Sequence, residues 1–117
     1  MLPEDDRIRL QHMLDAARKA VRLAAGRDRH VLDDEDDPLA DALVHLISVI
    51  GEAASKVSSD TRSELGGIPW PDVIGMRNRL IHAYFDINLD ILWATVQDSL
   101  RSFIERLAFA LAEGKDV

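Results

Sequence analysis

The chain has 117 residues, of which 47% are hydrophobic and 5% aromatic, with no cysteine and a formal net charge of −7. That length points to a single small domain spanning residues 1–117, and the lack of cysteine excludes disulfides, thiolate metal sites and cysteine nucleophiles. The acidic balance argues against broad coating of nucleic acid, which needs many phosphate contacts, but leaves room for a small basic pocket that handles one phosphate.

The first helix is expected to begin near Pro3, with Glu4, Asp5 and Asp6 at its N-terminal dipole. Leu10, Leu14, Ala17, Val21 and Ala24 then mark one helical face, and Gly26 ends it. Residues 27–37, RDRHVLDDEDD, read as a solvated acidic loop. Asp37 and Pro38 look like an N-cap followed by a first-turn proline. They open a second helix that reaches about Ser58, with Leu39, Leu43, Leu46, Ile50, Ala53 and Val57 on one face. From Ser58 to Gly67 a loop is expected, with a short turn near Thr61–Leu65. The third helix is predicted over 71–85. Asn88 is placed to cap a fourth, in which Leu89, Trp93, Val96, Leu100, Phe103, Leu107 and Ala110 keep the helical rhythm until Gly114. These elements predict an all-α fold: an antiparallel four-helix bundle with a short extra helical turn. No apolar run approaches bilayer-spanning length. The segment Met1 to Asp6 is acidic where a leader would be basic, so a cytoplasmic location is expected.

One segment departs from the pattern. In the third predicted helix Trp70, Val73, Ile74, Leu80 and Ile81 define an apolar arc, and Arg77 lies near its middle with Tyr84 beside it. An arginine aimed at a core or interface is costly unless paired. Asn78 and His82 share a stripe at the edge of that arc, and Arg79 adds a second cation at i−3 from His82. Arginine grips phosphate with a planar, permanent cation, and histidine exchanges protons near neutral pH. Together they suit metal-independent RNA cleavage, in which a 2′-hydroxyl attacks its own phosphate, His82 moves a proton and Arg77 stabilises the phosphorane. Asn78 then holds His82 or orients the phosphate. On pattern alone a structural role stands beside this one, with Arg77 bridging to a carboxylate such as Glu52. On a regular helix Arg77 and His82 stand about 140° apart, which a two-fold dimer with the motif at its seam relieves.

Other constellations are thin. His12, His30 and His45 are scattered without metal-ligand spacing, and His45 with Glu52 makes too small a donor set, so no metal or other cofactor is expected. Gly66-Gly67 alone is no phosphate cradle, and Trp70 and Trp93 read as core anchors.

The string Ile68-Pro69-Trp70, the run Ile74-Gly75-Met76-Arg77-Asn78-Arg79-Leu80-Ile81-His82, then Tyr84 and Trp93, resembles the HepT-like branch of the HEPN superfamily. Ile50-Gly51-Glu52-Ala53-Ala54 in the second helix resembles it too, while His45 stands where family members often carry other polar residues. The likeness covers nearly the whole chain in helix order. It implies a helical two-fold dimer acting as a metal-independent endoribonuclease, the toxin of a toxin–antitoxin pair. Its partner would be a cognate minimal nucleotidyltransferase that silences it by transferring AMP to Tyr84. The resemblance makes Arg77 and His82 catalytic, Asn78 a supporting polar residue, Tyr84 the modification site and RNA the substrate. Arg79 is placed beside them as a phosphate-binding cation by its spacing alone. The alternative is a non-catalytic helper subunit that holds nucleotide or substrate for a nucleotidyltransferase.

Overall fold

In the computed structural model, which describes residues 2–83 and 86–115 with the side chains of 82, 83 and 113–115 outside that description, helix α1 runs Glu4–Ala24 behind Pro3. Its first turn carries Glu4, Asp5 and Asp6, where carboxylates face the positive end of the helix dipole. Leu10, Met13, Leu14, Ala17 and Ala20 are buried, and α1 packs chiefly on α2 (Leu39–Ser55) and α6 (Leu100–Lys115). Gly26 carries the chain out of α1 at φ +74°, a left-handed conformation that glycine adopts without steric cost.

The acidic segment that follows is mostly exposed, as expected of a solvated loop, but it is also anchored to the fold. A 3-10 turn at Arg29–Asp33 buries Leu32. Arg29 pairs with Asp33 at 3.2 Å and with Asp90 at 2.8 Å, and Arg27 pairs with Asp37. Two arginines and a leucine within an acidic run supply the contacts that a purely polar loop lacks.

Helix α2 starts one residue later than expected, with Pro38 rather than Asp37 at its N-cap position. The Asp37 carboxylate accepts the Leu39 N–H at 2.9 Å in the turn leading into it. That bond and the nearby Arg27 hold its pKa below the usual carboxylate value. Helix α2 stops at Ser55, earlier than expected. The Arg62 guanidinium reaches back from α3 (Ser59–Glu64) and donates to the carbonyls of Ala54 at 3.2 Å, Ser55 at 2.8 Å and Val57 at 3.0 Å, satisfying groups that a helix end leaves without partners. Helix α3 stands where a loop with one turn was predicted. Its N-cap, Ser58, is fastened to buried Asp6 of α1, whose carboxylate accepts the Ser58 N–H at 3.0 Å, the Ser58 hydroxyl at 2.6 Å and the Thr61 hydroxyl. Burial pushes the Asp6 pKa up, but these hydrogen bonds and the charge of Arg9 outweigh it and leave the pKa below the usual value.

Helix α4 spans Trp70–Leu80 and buries Trp70, Val73, Met76 and Leu80. The Trp70 indole donates to the Leu65 carbonyl at 3.2 Å. The helix crosses α2 at Gly51, where an added Cβ would lie 3.3 Å from the Ile74 carbonyl oxygen and 3.5 Å from that of Val73. The missing side chain is what lets the two backbones approach.

The helix predicted to reach residue 85 ends at Leu80. Ile81 is already extended (φ −108°, ψ 107°), and β1 (Ile81–Ala83) pairs antiparallel with β2 (Asp86–Ile87), Ile81 opposite Ile87. The returning chain delivers the Asn88 N–H to the Leu80 carbonyl at 2.8 Å, giving that helix-end acceptor a partner without another helical turn. The angular argument that set Arg77 and His82 about 140° apart therefore lapses. So does the shared helical stripe of Asn78 and His82.

Asn88 caps α5 (Leu89–Ala94) by accepting the Ile91 N–H at 3.0 Å. The helix continues through a wide π turn at Thr95–Ser99 into α6, which runs past Gly114 to Lys115. Leu92, Val96 and Leu100 are buried in two steps of four, followed by Phe103 and Leu107. Each step of four drifts about 40° on a regular helix, and the wide turn absorbs that drift. The described residues are mostly helical, with this one pair of short strands. No helix among them is long and apolar enough to cross a membrane.

Candidate functional site

The last turn of α4 presents Arg77, Asn78 and Arg79, all exposed. Arg77 points toward α2, as the periodicity expects, yet it is not enclosed by the core. Helices α1, α2 and α4 leave an open groove of about 550 Å³ between them, and Arg77 lines it. A guanidinium directed at a neighbouring helix escapes the cost of burial there because the groove admits water. Among the described residues Arg77 makes no hydrogen bond or ion pair. A bridge from Arg77 to Glu52 is not formed, since Glu52 lies 3.4 Å from Lys56 of its own helix.

Arg79 is placed differently. It donates to the Asp72 carbonyl at 3.1 Å and lies 3.6 Å from the Asp72 carboxylate. It faces a separate pocket of about 270 Å³ toward α6, shared with Ser99, Ser102, Phe103 and Arg106. The two arginines thus lie on opposite sides of α4 and do not converge. The backbone of His82 lies in β1, immediately after α4, and its side chain is outside the described residues. Tyr84 also lies outside the described residues.

Among the groove residues, Arg9 and Lys56 were not foreseen from sequence, in which His12 and His45 read as scattered histidines. Arg9 and His12 of α1 and His45 of α2 line the groove together with Arg77. His45 and Glu52 already share one stripe of α2 in the sequence, but their grouping with Arg9, His12 and Arg77 arises from packing between helices. Among the described residues no set of three or more His, Asp or Glu side chains could hold a metal ion. Chemically the groove offers unpaired cationic and imidazole groups to an anion arriving from solvent, with the chain leading directly from Arg77 to His82.

The family described as Ribonuclease HepT-like matches residues 13–109, from within α1 to within α6. The chain belongs to this HepT-like family. A protein named "Putative RNase" from Caldanaerobacter subterraneus subsp. tengcongensis is 37% identical over 62 residues, 53% of this chain and 55% of that protein. A "Probable ribonuclease HepT" from Thermococcus cleftensis is 36% identical over 61 residues, 52% of this chain and 56% of the relative. A further "Putative RNase" from Methanocaldococcus jannaschii is 30% identical over 84 residues, covering 70% of this chain and 69% of its own length. In the first two of these matches the chain spans little more than half the length of the relative. No solved structure matches the chain significantly.

Proposed function

We propose that this protein is a metal-independent endoribonuclease, the toxin of a toxin–antitoxin pair, acting in the cytoplasm as a two-fold dimer of single-domain, antiparallel four-helix bundles. The observation that carries this reading is Arg77: an unpaired guanidinium on an open groove, five residues before His82, in a member of the HepT-like family. In this mechanism the substrate's 2′-hydroxyl attacks the adjacent phosphorus, and the bond to the 5′-oxygen of the next nucleotide breaks. The products are a 2′,3′-cyclic phosphate and a free 5′-hydroxyl. His82 takes the proton from the attacking hydroxyl and returns one to the leaving oxygen, and Arg77 neutralises the charge that builds on the phosphorane. Asn78 orients the phosphate, and Arg79 adds positive charge from the far side of α4. At the dimer seam two copies of the motif face one another.

A cognate minimal nucleotidyltransferase silences the toxin by transferring AMP to Tyr84. In this reading the adenylyl group on Tyr84 keeps substrate phosphate out of the site. The test compares RNA cleavage in EDTA by protein produced without that partner with cleavage by its His82→Ala variant. Cleavage by the parent alone supports the assignment, and equal activity in both removes His82 from the mechanism. Inactivity in both, with intact mass showing unmodified Tyr84, shifts the function to a nucleotide-holding helper.

A further inference from the structure

The groove beside Arg77 is larger than one phosphate requires, and its lining opposes the charge of the whole molecule. Arg9 and His12 from α1, His45 and Lys56 from α2, and Arg77 from α4 all face it, with Glu52 the single carboxylate among the described lining residues. The chain as a whole carries −7. Among the described residues Arg9, His12 and His45, like Arg77, form no hydrogen bond or salt bridge, and Lys56 meets Glu52 only at the surface, at 3.4 Å. From His45 to Lys56 the wall extends about 16 Å along α2, room for several phosphates of one strand. Exposed, unpaired groups such as Arg77, His12 and His45 are free to meet phosphate oxygens. Arg9 is half-buried and acts on Asp6, and Lys56 must exchange Glu52 for phosphate.

We infer that the α1–α2 wall of this groove is a phosphate track that holds the single-stranded RNA backbone flanking the bond cut beside Arg77. The inference rests on the proposed ribonuclease function and adds to it four positioning residues: Arg9, His12, His45 and Lys56. They set where the strand lies and take no part in proton transfer.

The test measures fluorescence anisotropy of a short, fluorescein-labelled, mixed-sequence single-stranded RNA with full-length His82→Ala protein across a salt series. In that background Arg9→Gln with Lys56→Gln is expected to weaken binding roughly tenfold and to lower the slope of log affinity against log salt by about 1.4, near 0.7 for each phosphate left without its cation. Arg9→Lys with Lys56→Arg restores the slope, which separates the removal of charge from a damaged fold. His12→Gln with His45→Gln weakens binding by a smaller factor. Arg106→Gln, in the separate pocket toward α6, leaves both affinity and slope unchanged. If the parent cleaves RNA while Arg9→Gln with Lys56→Gln binds with the same slope, the track is overturned and the ribonuclease function stands. If the parent neither binds nor cleaves RNA, both fall together.

Discussion

Arg77 and Arg79 stand two residues apart on α4, about 200° around the helix, and differ in almost every other respect. Arg79 is held by Asp72, two turns earlier on its own side of the helix. Arg77 faces a groove whose single described carboxylate, Glu52, already lies beside Lys56. The contrast separates a cation committed to the fold's surface from one available to a ligand. An exposed ion pair such as that of Arg79 adds at most about 1 kcal/mol to stability, yet it must break before the guanidinium can grip phosphate. Availability is thus set by which carboxylates lie within reach, and composition alone does not reveal it.

Neutralising each arginine in turn separates the two roles most sharply. Arg77→Gln should lower RNA cleavage about 100- to 1,000-fold, the scale of losing one group that stabilises transition-state charge, with no change in melting temperature because the side chain is exposed. Arg79→Gln should cost less than about tenfold in the same assay. Equal losses would mean that the Asp72 pair opens during the reaction.

Asp6 provides a third condition, a charge both buried and fully bonded. Asp6→Ala should destabilise the protein by about 2–3 kcal/mol in chemical denaturation, because it strands the donors of Ser58 and Thr61. Its folded-state pKa is depressed, so its ionic contribution is present above the ordinary carboxylate value of about 3.9. That contribution is lost as pH falls through the lower folded value. The stability gap between the parent and Asp6→Asn should therefore narrow in strong acid. A gap independent of pH would assign the effect to hydrogen bonding without charge.

The smallest effects come from two glycines. Gly51→Val pushes a side chain into the Ile74 carbonyl and should cost about 1–3 kcal/mol, prising α4 from α2 and disturbing the groove. At Gly75 an added Cβ meets nothing within 4 Å, so Gly75→Ala should stabilise by about 0.5–1 kcal/mol. If that variant instead loses activity with its fold intact, something outside this chain approaches α4 closely at Gly75.

What could be read from sequence was what is decided locally. Pro3, Asp37 and Asn88 mark helix starts because capping chemistry acts within a few residues, and the buried stripes of α1, α2 and α6 follow from periodicity. The end of α4 was not legible, since the donor that satisfies the Leu80 carbonyl is the N–H of Asn88, beyond the strand pair. The early end of α2 likewise depends on Arg62 reaching back from the next helix. For Arg77 the periodicity gave the right direction and the wrong surroundings, because whether two helices close on a side chain or leave a groove is settled by packing such as that at Gly51. His12 and His45 looked scattered for the same reason: their proximity belongs to the contact between α1 and α2.

The wide turn at Thr95–Ser99 has a consequence for how the molecule opens. Residues 89–115 form one rod in space, but its ladder of backbone bonds changes pitch at this turn, where the Thr95 hydroxyl also claims the Ile91 carbonyl at 2.7 Å. Such a discontinuity divides a rod into two cooperative units for amide hydrogen exchange. α5, anchored by buried Leu92 and joined through Asn88 to the strand pair, can then exchange as a unit separate from α6, which is anchored by Leu100, Phe103 and Leu107. The strand pair and α5 are thereby set apart from α6 in the ladder of backbone bonds, although the rod itself is continuous.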